Sequence, residues 1–162
     1  MGPGSREDYP AFLKKNDMAK YKYFELDEFI KSDTAKAKGI DNTPTFEVVD
    51  HLNELVSKIL NKLRADWGSA IDVSSGFRCE KLNKAVGGSS TSVHKLGYAA
   101  DLVPANGKFD EFVKFVEGWL KKNKIKFDQL IIESNSKGDR WLHIGLYNNA
   151  GQQRCQIMTM NV

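Results

Sequence analysis

The chain has 162 residues, 41% of them hydrophobic and 28% charged, with a net charge of +3 and a pI near 8.8. That length suits one globular domain with a real core. No stretch reaches the roughly 18–20 consecutive apolar residues of a membrane span, so membrane insertion is excluded from the expectations. A mild positive charge favours acidic partners only weakly. Residues 1–6, beginning "MGPGS", read as a cloning remnant, and 7–162 as a single domain.

"FELDEFIKSDTAKAKGIDNTP" mixes short apolar pairs with turn residues, and residues 20–44 are expected to wrap the surface. "FEVVDHLNELVSKILNKLRADWG" places Val48, Leu52, Leu55, Ile59 and Leu63 at helical spacing, with Gly68 as the stop. His51 stands beside Asp50 and Glu54 and reads as a solvated helix residue rather than a ligand. "AIDVSSGF" reads as a short strand entering a glycine turn, and "RCEKLNKAVGG" as a short helix closed by Gly87 and Gly88. "GYAADLV" is a strand. "FDEFVKFVEGWLKKN" is an amphipathic helix with Phe109, Phe112, Phe115, Val116 and Leu120 on its buried side. The basic run "KKNKIK" at 121–126 reads as that helix's end, so nucleic acid is not an expected partner. "DQLIIE" and "WLHIGLY" are strands joined by "SNSKGDR", and "RCQIMTM" adds an edge strand. Together these predict an α+β domain, a small mostly antiparallel sheet flanked by helices. Cys79 and Cys155 make neither a disulfide framework nor a zinc knuckle and read as free thiols.

Side chains alternate across a strand. Leu142, Ile144 and Leu146 therefore share a core face, and Trp141, His143, Gly145 and Tyr147 share the other. In "DQLIIE", Glu133 points away from Leu130 and Ile132. A hairpin would bring it near the start of the strand carrying His143. His94 precedes a strand in which Gly97, Ala99 and Asp101 point one way, small residues leaving room for a bulky group. Two imidazoles and one carboxylate, with a water, are the usual composition of a catalytic zinc site. A separate glutamate can carry the water's proton to a leaving amine. At this level the pair His94 and Asp101 fits a metal site or a hydrogen bond at a strand start.

"SVHKLGYAAD" has the form S-x-H-x-x-G-x-A-x-D. It resembles the first metal-binding segment of the zinc D-Ala-D-Ala carboxypeptidases and their phage endolysin relatives. That larger family includes L-alanyl-D-glutamate endopeptidases and vancomycin-resistance dipeptidases, and hedgehog signalling domains share its fold. "SSGFRCEKLNKAVGG" is similar to the family's S-G-[YF]-R segment, and "FDQLIIE…WLHIG" to the segment bearing its last zinc histidine. The resemblance covers most of residues 20–158. It implies a hedgehog-like fold, Zn2+ held by His94, Asp101 and His143, and Ser92 beside the site. It also implies that Arg78 holds a substrate carboxylate or stabilises the oxyanion. Trp141 is expected to line the cleft and contact substrate.

The general base departs from the family pattern. Many members carry an acid three residues before the last histidine, where this chain has Arg140, which cannot accept a proton. Glu133 is favoured as the base and Asp139, in a glycine turn, is its rival. The expected function is a zinc metallopeptidase cutting a bond of the peptidoglycan stem peptide, with a non-catalytic zinc-containing wall-binding or phage structural module as the alternative. A monomer is expected, of the phage or prophage lysin kind. It would stay in the cytoplasm until released to the wall, or be periplasmic or extracellular if a signal peptide was trimmed.

Overall fold

The computed structural model describes residues 21–162, and the remnant expected at 1–6 lies outside them. A 3-10 turn at Leu26–Phe29 opens the described chain, followed by helix α1 (Asp33–Lys38), capped by the Ser32 hydroxyl and ended by Gly39 at φ 63°. This segment does more than wrap the body, since Phe24, Leu26, Phe29 and Ile30 are buried in the main core. Asn42, itself buried, staples it to the chain near Arg78. Its amide donates to the carbonyls of Ile30 (2.8 Å) and Phe77 (2.9 Å), and its oxygen accepts from the Cys79 N–H at 2.8 Å.

Thr45 caps helix α2 (Phe46–Leu55), which runs through a π turn at Val56–Leu60 into helix α3 (Asn61–Trp67) and stops at Gly68. Leu52, Leu55, Ile59 and Leu63 are fully buried, as their spacing predicts. The π turn is not legible in that spacing, because one wider turn leaves the apolar stripe continuous.

Five strands form one sheet in the order β1-β2-β4-β3-β5: β1 (Ile71–Ser75), β2 (Ala99–Pro104), β3 (Gln129–Ser134), β4 (Arg140–Gly145) and β5 (Gln156–Asn161). All neighbours are antiparallel except β3 and β5, which run parallel. The α+β expectation with a mostly antiparallel sheet therefore holds. Ala100, Leu102, Leu130, Leu142 and Ile144 turn to one face and join the core beneath helix α5 (Phe109–Lys122). In α5 the buried positions are Phe112, Val113, Val116, Trp119 and Leu120. Phe109 and Phe115, expected to be buried, only flank the core. Phe109 instead carries the Arg140 guanidinium 4.5 Å above its ring, and Trp119 takes the deeper place because its indole N–H reaches Asp66 at 2.7 Å.

Candidate metal centre

The opposite face of the sheet carries the candidate site residues. Cross-strand partners align Asp101 of β2 with His143 of β4, and His143 with Ile131 of β3. Helix α4 (Glu80–Ala85) and a 3-10 turn at Val93–Leu96 lead into β2, and the Ser92 hydroxyl caps that turn by accepting from the His94 N–H at 3.3 Å. The turn drops His94 onto the same face. Gly97 ends it at φ 81°, before β2 begins, so it does not belong to the strand face with Ala99 and Asp101 as sequence alternation suggested. A Cβ at Gly97 would lie 2.8 Å from the Val48 carbonyl. The glycine serves the approach of helix α2, not the site.

His94, Asp101 and His143 are buried, at 2%, 7% and 7% exposure. Asp101 Oδ1 lies 3.2 Å from His94 Nε2 and 3.1 Å from His143 Nδ1, and the two imidazole nitrogens are 3.2 Å apart. His94 Nδ1 donates to the Gly76 carbonyl at 2.7 Å, which turns Nε2 toward the centre as the nitrogen that would meet an ion. Zinc bonds of about 2.0–2.1 Å at tetrahedral angles set donor atoms about 3.3–3.4 Å apart, and two imidazoles with a carboxylate are a zinc donor set. The three residues fit that ion, and they form the group among the described residues that could hold a metal. Burial alone would raise the Asp101 carboxyl. The charge of His94 and the hydrogen bonds from both histidines outweigh it and hold the acid well below the usual carboxylate range.

An open cleft of about 960 Å³ lies over this face, lined by Arg78, Ser92, Glu133 and Trp141 together with the three buried residues. Glu133 pairs across the sheet with Trp141, whose indole N–H donates to its carboxylate. Burial, then repulsion from Asp101, pushes the Glu133 carboxyl up, with His143 and the indole partly opposing. The Arg78 backbone N–H donates to the His94 carbonyl at 3.1 Å and its guanidinium to the Ser92 hydroxyl at 3.2 Å, while its buried Nε has no protein partner. Burial lowers the guanidinium's pKa, opposed by Asp101 and Glu133. The cleft thus gathers His94, Asp101, His143, Glu133, Arg78, Ser92 and Trp141.

Asp139 is not in the cleft. It sits in the turn between β3 and β4, exposed, accepting from the Asn135 amide at 3.1 Å. Arg140 points to the helix side, where it pairs with Asp110 at 2.8 Å. His51 also differs from expectation. It is half-buried, bonded to the Leu96 carbonyl at 2.6 Å and stacked on Tyr98 at 4.0 Å, so it pins α2 against the turn that carries His94. Sequence reasoning missed one wall of the cleft, formed by Met158, Met160 and Val162 of the last strand and its end. It also missed Arg154, whose guanidinium holds buried Asp128 at 2.7 and 2.8 Å.

A family profile described as Peptidase M15 matches residues 22–144, more than half of the chain and the stretch that holds all three candidate ligands. The chain belongs to the M15 peptidase family. None of the curated proteins matches it. M15 peptidases are zinc-dependent metallopeptidases related to the zinc D-Ala-D-Ala carboxypeptidases. The five-stranded sheet flanked by helices is consistent with the fold of that family. In this M15 peptidase the two cysteines are free, Cys155 exposed and Cys79 capping α4 through its sulfur. Among the described residues no helix is long and apolar enough to cross a membrane.

Proposed function

We propose that this M15 peptidase hydrolyses a peptide bond in the peptidoglycan stem, with zinc held by His94, Asp101 and His143. The observation that carries the reading is the convergence of three buried donor atoms on the floor of a cleft whose wall presents Glu133. Zinc in such a donor set supplies Lewis acidity and brings the pKa of a water to about 7. Glu133 stands two strands from Asp101 on the same sheet face and shuttles the proton from the attacking water to the leaving amine. Its raised proton affinity suits that task, because an ordinary carboxylate is too weak a base near neutral pH. The Trp141 indole holds the carboxylate in place and lines the cleft against substrate. Arg78, braced by Ser92, turns a cation toward the cleft and either receives a substrate carboxylate or stabilises the developing oxyanion.

Digestion of muropeptides followed by mass spectrometry tests the reading. Wild type should release defined fragments. Glu133→Gln should slow release by about 10²–10⁴-fold while retaining zinc. Asp139→Ala should cleave like wild type. Zinc bound with no muropeptide cut would favour a non-catalytic wall-binding module.

A further inference from the structure

The cleft's far wall comes from β5, which follows residue 144 and so lies outside the family match. Its register puts Met158 beside Ile131 and Met160 beside Glu133. One row of side chains therefore crosses four strands on the site face, running Asp101, His143, Ile131, Met158. The next row runs Trp141, Glu133, Met160. Neighbouring strands are about 4.8 Å apart, so Met158 lies about 9–10 Å from His143, the reach of about three residues of extended chain.

The two ends of the cleft differ in chemistry. Arg78, Ser92 and Thr91 line the end beside His94, whereas Met158, Met160 and Val162 line the end at β5. Those three are 39%, 42% and 62% exposed, a set of apolar side chains facing the cleft rather than the core. The Gln129 amide donates to the Met158 sulfur at 3.6 Å and holds that side chain in place. Thioether side chains are flexible and polarisable, suited to receiving small apolar groups of varied shape.

We propose that β5 is the specificity wall of this peptidase. A bound peptide lies across the strands, with its scissile bond over the three buried residues, its polar end at Arg78 and an apolar side chain against Met158 and Met160. The inference rests on the peptidoglycan reading above and identifies the apolar group as the methyl of a stem alanine.

The test uses the full chain loaded with zinc, with Glu133→Gln to stop turnover, and with methionine methyls and tryptophan indoles labelled for NMR. The probes are a stem pentapeptide and versions in which each alanine in turn is replaced by glycine. The parent peptide should shift the Trp141 indole and both the Met158 and Met160 methyls. One glycine version should bind about tenfold more weakly and leave the two methyls unmoved, the lower end of what a lost methyl contact costs. Met160→Thr, on an exposed strand, should weaken the parent peptide by the same factor and abolish the difference between the two peptides. If Trp141 responds and the methyls do not, the wall is wrong and the peptidoglycan reading stands. If neither responds, that reading fails and the wall with it. Methyl shifts that follow protein concentration and ignore peptide would assign β5 to contact with a second copy, which also overturns the proposal.

Discussion

At the scale of single residues, His94 depends on a backbone carbonyl. Gly76 accepts from Nδ1 and fixes which nitrogen faces Asp101, and Gly76 itself lies against Phe29. A Cβ there would stand 2.4 Å from the Phe29 carbonyl oxygen, so Gly76→Ala must displace backbone. It should cost about 1–3 kcal/mol of stability by thermal unfolding and weaken zinc binding. Trp141→Phe removes the donor that steadies Glu133. Muropeptide cleavage should fall about tenfold with zinc content unchanged, a loss equivalent to about one hydrogen bond to a charged group. Of the candidate site residues, Asp101, Glu133, Trp141 and His143 were legible from strand alternation, whereas Arg78 and Ser92 were reached only through the family resemblance, because they sit on a loop and a turn with no period of their own. The place of His51 was not legible. Its polar neighbours on the helix suggested solvent, and the partners that bury it, Leu96 and Tyr98, come from a different element.

At the scale of elements, the long helix, the strands and the hairpin of β3 and β4 follow from periodicity and turn residues. The fate of the segment before α2 does not. Its apolar pairs are too short to show a period, yet they fill the core and are tied by Asn42 to the loop bearing Arg78. Asn42→Ala strands two carbonyls and one N–H in the interior. It should destabilise the fold by about 2–4 kcal/mol, read from denaturant unfolding, and lower activity by loosening the Arg78 loop. The edge position of β5 was visible in the sequence. Its parallel pairing with β3, which aims the methionines into the cleft, depends on the path of residues 146–155 and has no local signal.

At the scale of the whole molecule, the Asp128–Arg154 pair also lines the cleft and anchors the chain entering β5. Burial would raise the Asp128 carboxyl. Hydrogen bonds from the Arg154 side chain and backbone outweigh it and leave the acid below its ordinary range. A carboxyl lowered in the folded state stabilises the fold above its unfolded pKa, and that stability is lost as pH falls through the folded value. The gap in melting temperature between wild type and Asp128→Asn should therefore be full at neutral pH and shrink below about pH 4. Everything proposed for catalysis rests on the three buried donor atoms holding zinc. The most direct measurement is metal content of the purified chain by elemental analysis, beside His94→Ala and His143→Ala. About one zinc per chain in wild type and a loss of at least tenfold in affinity in each variant is the predicted result. A folded wild-type chain that takes up no zinc at micromolar concentrations would contradict it.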